Sequence, residues 1–310
     1  MASNRRTFIK ETGAALLATS ILPSNDLAAM ADPVQKLTIL HTNDVHSRID
    51  PFPMDGSRNQ GLGGVSARAA LISKIRQEEE QVLLLDAGDI FQGTPYFNIY
   101  KGEPEIKAMS AMQYDAATMG NHDFDLGMEN FATQLQHASF PILVSNYDFS
   151  GTALENKTQP YKIFKKGSLQ IGVFGVGIEL KGLVPDNLYG KTVYQDPVVA
   201  ANTTANLLQK KGCDLVICLS HLGDRYTENK VSDEILAKES YDIDLIIGGH
   251  THRFFEEPRK YRNKNGGDVV VNQVGFGGIQ LGRLEYQFSR LSRKKLAKAH
   301  TVVVGKKTSE

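Results

Sequence analysis

The sequence predicts an α/β layered domain built on a pair of mixed sheets. Three observations predict it. Short apolar runs alternate with segments of helical spacing along most of the 310 residues. Clusters of His, Asp and Asn follow several of those runs, and ligand sites of α/β sheets lie just outside the carboxyl ends of strands. A hairpin in the middle of the chain and late, glycine-flanked strands make the sheets mixed and not wholly parallel.

The elements follow in order. Residues 37–40 read as a buried strand that ends in Asn43 and Asp44. The segment 47–64, rich in Gly, Pro and Asp, reads as a surface loop. Val65, Ala69, Ile72 and Ile75 recur at helical spacing, which predicts a helix over 65–80. Residues 82–85 form a second buried strand delivering Asp86 to Asp89. A short helix over 104–112 starts at Pro104, since proline suits the first turn. A strand over 116–119 leads into Gly120, Asn121 and His122, a helix spans 128–137, and a strand spans 142–144. Residues 161–165 and 169–174 flank Lys166-Gly167-Ser168 as a hairpin. A helix over 197–211 is capped by Asp196. Strands at 215–219 and 245–247 deliver His221 and the run Gly248 to His252, and late strands lie at 269–271 and 283–288. No internal repeat or interdomain linker is visible.

Hydrophobic content of 41% and charged content of 23% are those of a soluble globular protein. The formal net charge is zero, so nothing favours a nucleic-acid polymer as partner. Cys213 and Cys218 are too few for a disulfide framework, and their offset places them on opposite faces of a strand as small buried hydrophobes.

Residues 1–31 read as a leader. Asn4-Arg5-Arg6-Thr7-Phe8-Ile9-Lys10 resembles the twin-arginine export motif. An apolar stretch from 13 to 22 follows, and Ala29-Met30-Ala31 offers a cleavage site. The stretch is short of the about 20 residues that span a bilayer, and no cysteine follows it, so neither a membrane nor a lipid anchor is expected. The expected location is the periplasm. The expected domains are the leader, a catalytic domain over 32–290, and a basic C-terminal tail over 291–310, solvated or docked on an acidic partner.

The chemistry sits in five clusters: Asp44-Val45-His46, Gly88-Asp89, Gly120-Asn121-His122-Asp123, Ser220-His221 and Gly248-Gly249-His250-Thr251-His252. Imidazole, carboxylate and amide oxygen without thiolate is a ligand set for hard or borderline divalent metals. Seven such donors suffice for two ions that share one carboxylate. In extended backbone, i and i+2 point the same way, so Asp44 and His46 can face one ion. Gly88 lets the chain turn sharply before Asp89, and the two glycines before His250 allow close backbone approach.

Four segments carry a resemblance. Leu40-His41-Thr42-Asn43-Asp44-Val45-His46, Asp86-Ala87-Gly88-Asp89 with Phe91-Gln92-Gly93-Thr94, Gly120-Asn121-His122-Asp123-Phe124-Asp125, and Gly249-His250-Thr251-His252 resemble the calcineurin-like metallophosphoesterases. The Phe91-Gln92-Gly93-Thr94 block and the Phe124-Asp125 pair resemble, more narrowly, the catalytic domain of the periplasmic 5'-nucleotidase branch. The likeness runs from about Leu37 to Phe288.

The resemblance implies a four-layer αββα sandwich of two mixed sheets. It implies a first metal held by Asp44, His46, Asp89 and His252, and a second held by Asp89, Asn121, His221 and His250. Two cations about 3.5–4 Å apart would share a water, lower its pKa and neutralise phosphate oxygens during in-line attack of the bridging hydroxide. His122 would serve the leaving oxygen, oriented by Asp125. Asn121 and Asn146 would contact substrate, and Asp123 is assigned no ligand role. Mn, Zn and Fe all fit the donors. The implied activity is hydrolysis of 5'-nucleotides or similar phosphomonoesters in nucleotide catabolism.

The chain also departs from the family. Several 5'-nucleotidases carry Gln or Asn where this chain has His252. They also carry a C-terminal domain that grips the nucleobase, and none is expected within these 310 residues. Alternatives are therefore a cyclic-nucleotide phosphodiesterase, a thiosulfohydrolase-like sulfur-ester hydrolase, or the catalytic half of a split nucleotidase whose separate subunit binds the nucleotide. A metal-storing protein is disfavoured, because His122 and Asp125 are present without being ligands.

Overall fold

A computed structural model describes residues 34–228, 230–289 and 293–305. The expected leader over 1–31 lies outside the described residues. Among the described residues, no helix is long and apolar enough to cross a membrane.

Two sheets form the centre. The first contains β1 (Gln35–Thr42), β2 (Val82–Asp86), β3 (Ala116–Ala117), β12 (Gln280–Ser289) and β13 (Arg293–Val303), in the order β13-β12-β1-β2-β3. β1, β2 and β3 are parallel, while β12 runs antiparallel to β1 and to β13. The second contains β5 (Tyr161–Lys166), β6 (Leu169–Gly177), β8 (Leu215–His221), β9 (Leu245–Gly248), β10 (Arg259–Arg262) and β11 (Asp268–Asn272), in the order β10-β11-β9-β8-β6-β5. Its inner four strands are parallel and its two edges antiparallel. β4 (Tyr147–Asp148) and β7 (Val193–Tyr194) make a small separate ribbon.

Period-two alternation explains why the sheets stack. In β1, Leu37 and Ile39 face the core between the sheets, while Leu40 faces the outer helices. In β8, Leu215, Ile217 and Leu219 face the inter-sheet core, while Val216 and Cys218 face the other helical layer. Both faces are apolar, so both must be covered. Helices α1 (Val65–Glu78), α2 (Pro95–Tyr100), α3 (Glu103–Ala111) and α4 (Gly127–Gln134) lie on the first sheet's side. The one-turn α5 (Asp186–Tyr189) packs beside α4. Helices α6 (Pro197–Lys210) and α7 (Asp233–Glu239) cover the second sheet with Ala201, Ala205, Leu208 and Leu236. Three apolar cores thus separate four layers, αββα. Each large side chain buried in them contributes about 1.5–3 kcal/mol. Asp196 caps α6 by accepting from the Val198 and Val199 amides at 2.8 and 3.1 Å, a cap worth about 1 kcal/mol. Cys213 and Cys218 are free and buried, and burial pushes the Cys218 thiol well above its ordinary pKa.

The structure departs from the sequence reading in three places. Residues 293–303, expected in a basic tail, form β13 at the edge of the first sheet, so the domain does not stop at 290. The register skips Ala297 between Leu296 and Lys298. That bulge breaks the alternation by which the strand would be recognised. Leu296 and Ala299 pack on the inter-sheet core, and the lysines guard the edge. Second, residues 142–144 are not a strand but make isolated bridges to Ala117 and Gln159. Third, α2, α5, α7, β4, β7 and β10 carry no apolar period strong enough to predict them.

Because β1, β2 and β3 are parallel, and β8 and β9 are parallel, the segments after all five strands gather at one end of the sandwich.

Candidate metal centre

The two loops after β1 and β2 are tied together by backbone. The Asp44 amide donates to Gly88 O at 2.9 Å, His46 to Asp89 O at 3.1 Å and Ser47 to Ile90 O at 2.9 Å. Within this ladder the backbone is left-handed at non-glycine positions. Asp44 has φ 49°, His46 51° and Asp89 55°, and His250 and His252 follow with 70° and 53°. Asp44 and His46 therefore do not converge through extended backbone, as the sequence reading has it. Such conformations cost of order 1–3 kcal/mol each and persist where the surroundings enforce them. Five of the seven expected donors are held this way. Gly120 is required for a different reason. A Cβ there would stand 2.1 Å from Asp89 Oδ1.

The seven side chains form two adjoining groups. Asp44, His46 and His252 make one, and Asp89, His221 and His250 the other, the candidate ligand atoms within each lying no more than 4.8 Å apart. Asn121 joins the second group, its Oδ1 2.8 Å from His250 Nδ1. Asp89 Oδ2 stands between the groups, 3.0 Å from His221 Nε2 and 3.9 Å from His46 Nε2. Asp44 Oδ1 lies 3.2 Å from His252 Nε2 and 3.9 Å from both His46 Nε2 and His221 Nε2. His46 Nε2 and His252 Nε2 approach to 3.0 Å.

These atoms fit divalent cations. His221 is fully buried, and its Nδ1 donates to Ala87 O at 2.7 Å. That bond fixes the tautomer and turns Nε2 toward Asp89, yet Nε2 has no hydrogen-bond partner among the described residues. Nε2 and the Asp89 carboxylate, 3.0 Å apart, call for positive charge between them, either a proton on the ring or a cation. Burial alone would lower the His221 pKa, but the Asp89 and Asp44 carboxylates outweigh it and push it up to about 10. Burial lowers His46, and burial with the neighbouring His221 lowers His250 to about 4, so both stay neutral imidazoles suited to ligation.

His122 belongs to neither group. Its Nδ1 lies 2.9 Å from Asp125 Oδ2, and its backbone N–H donates to Asp89 Oδ1 at 2.8 Å. The Asp125 hydrogen bond raises the imidazole pKa. The ring stands 5.3 Å from that of His46 and lines a cavity of about 240 Å³ beside it. Arg48, Phe52, Gln92, His252 and Phe276 share that cavity.

Other residues hold the centre without facing it. The Asp123 carboxylate, buried, accepts from the amides of Asp89, Ile90, Phe91 and Gly120 at 2.8–3.1 Å. It clamps the loop that presents Asp89. Asn43 Nδ2 donates to Asp44 Oδ2 at 2.7 Å, and Asn43 Oδ1 accepts from Val274 N at 3.0 Å. Neither role was legible, because both depend on partners fixed only by folding. Asn146, expected at the substrate, is a correction. It is fully buried, its Nδ2 donates to Gly177 O and its Oδ1 accepts from Gly177 N, each at 2.8 Å. With both ends of its amide spent on backbone, it pins β4 to the end of β6 and has nothing left for a ligand.

Comparison with known proteins gives a consistent picture. A model of the calcineurin-like phosphoesterase family matches residues 37–254. The snake venom 5'-nucleotidase of Crotalus adamanteus is 33% identical over 295 residues, covering 89% of this chain and 49% of its own. The human 5'-nucleotidase is 33% identical over 274 residues, covering 82% and 46%. A crystal structure of a 5'-nucleotidase precursor from Thermus thermophilus superposes with a TM-score of 0.76 at 31% identity, over 87% of this chain and 55% of that one. The chain spans about half the length of the curated relatives it matches.

Proposed function

This chain belongs to the calcineurin-like phosphoesterase family, and on that premise we propose that it hydrolyses phosphate esters, 5'-nucleotides or similar phosphomonoesters, with two divalent cations as cofactor. The observation that carries the reading is the position of Asp89 Oδ2 between two donor groups, 3.0 Å from the buried His221 Nε2 of one and 3.9 Å from His46 Nε2 of the other.

Asp44, His46, Asp89 and His252 would hold one ion, and Asp89, Asn121, His221 and His250 the other. Bound there, two cations would acidify a water and neutralise phosphate oxygens. The protein supplies the rest. Asp125 accepts from His122 Nδ1–H, which fixes the ring and favours its protonated form. The opposite ring nitrogen then has a proton to give to the leaving oxygen. Asp123 and the left-handed backbone keep Asp89 from following the substrate. The N/O donors fit Mn, Zn or Fe, with supply in the cell deciding among them. We further propose export through the leader and work in the periplasm.

The test is a substrate panel on metal-loaded protein, with Mn and with Zn. It includes 5'-nucleotides, a nitrophenyl phosphomonoester, a 2',3'-cyclic nucleotide and a sulfur ester. Phosphate release from monoesters that a chelator abolishes is the expected result. Turnover confined to the cyclic diester or the sulfur ester would replace the monoesterase reading. A further arm adds a separate nucleotide-binding subunit, which would raise kcat/KM for nucleotides alone if base recognition comes from a partner.

A further inference from the structure

We propose that Arg48 binds the transferred phosphoryl group, taking the non-bridging oxygen that the two cations leave uncovered. The inference rests on the phosphoester reading of the site. Arg48 lines the same cavity as His46, His122 and His252, and the cavity, about 240 Å³, has room for a phosphoryl group among these imidazoles. The guanidinium carbon lies 4.0 Å over the Phe52 ring. Phe52 packs edge-on against Phe276 at 6.1 Å, and Phe276 stacks on the His252 ring at 5.3 Å. One aromatic wall thus seats both a candidate ligand and the arginine.

The seat matters because of geometry. A guanidinium seated over a ring face keeps N–H groups free at its edge, where phosphate oxygens can take two of them. Arg48 forms no salt bridge among the described residues. Asp50, whose charge acts on Arg48, accepts from the Tyr96 hydroxyl at 2.8 Å. A half-buried cation without a partner, facing a site for a dianion, is placed to bind that dianion. The phosphoryl group has three non-bridging oxygens. Two would face the ion positions, and His122 serves the leaving oxygen. Arg48 is the cation left for the third. Charge on that oxygen must be met as attack proceeds.

The test replaces Arg48 by Ala and by Lys in the full metal-loaded chain. Metal content is checked first, and inorganic phosphate binding is then measured by calorimetry beside kinetics on two monoesters with a charged and an uncharged leaving group. Arg48→Ala should keep both ions, weaken phosphate binding at least tenfold, and lower kcat/KM on both esters by the same factor, roughly 10²-fold. Arg48→Lys should recover part of the phosphate affinity as a point charge but not the bidentate contact. Loss confined to the ester with the charged leaving group would place Arg48 at the leaving group and overturn the proposal. Unchanged phosphate binding, or loss of an ion, would overturn it too. Arg48-dependent phosphate binding without turnover of any ester would leave this inference standing and sink the hydrolase reading.

Discussion

The two halves of the candidate metal centre differ in how they are enclosed. His221 is fully buried, and its group is closed off by Ala87 O, Asn121 and the loop that Asp123 clamps. His252 is 41% exposed, and its group opens onto the cavity with His122 and Arg48. The closed half has its geometry fixed before anything binds. In the open half the His252 ring stacks on Phe276 with one face turned to the cavity side, its Nε2 3.2 Å from Asp44 Oδ1. Under the proposed function this implies a division of labour, in which the closed side would retain its ion while the open side would admit substrate and exchange its ion more readily.

Five substitutions probe this asymmetry. The largest effect is expected at Asp89, whose Oδ2 faces both halves. Asp89→Ala should abolish turnover and remove both ions in elemental analysis; two ions retained would refute the bridging position. Next is His122→Ala, which should lower kcat by roughly 10²–10⁴ with metal content intact. Metal loss with it would make His122 a ligand. His221→Ala and His252→Ala test the asymmetry directly. The first should lose its ion outright, while the second should weaken binding of one ion and leave the other in place under calorimetric titration. Equal loss from both would erase the distinction. The smallest effect concerns Asp123. Asp123→Ala strands four buried amides and should lower stability by about 3–5 kcal/mol in denaturant unfolding, with the remaining folded protein binding metal less tightly in both halves. An unchanged midpoint would mean the clamp contributes nothing.

Much of this was legible because the informative signals are local. An apolar run that stops at Asp44, Asp89, His221 or His250 announces both a strand and what stands at its end. The buried halves of β1, β2, β8 and β9 need only short-range pattern. What stayed hidden depends on distance or conformation. Nothing in the sequence marks Asp44, His46 or His252 as left-handed. Asp123 reads as a polar neighbour of His122 until folding brings four amides to it. Phe276 lies far along the chain from His46, and its stacking on His252 has no sequence pattern. Asn146 sits beside Tyr147 in a segment that looked like substrate contact, but tertiary packing turned it inward. β13 was obscured by its lysines and its bulge.

The proposed function requires two cations to share Asp89. Crystals of the metal-loaded chain, with anomalous scattering recorded at the metal edge, test it most directly. The account predicts two peaks on either side of Asp89 Oδ2, one among His46, His252 and Asp44, the other among His221, His250 and Asn121. A single peak, or ions elsewhere on the surface with both groups vacant, would contradict it.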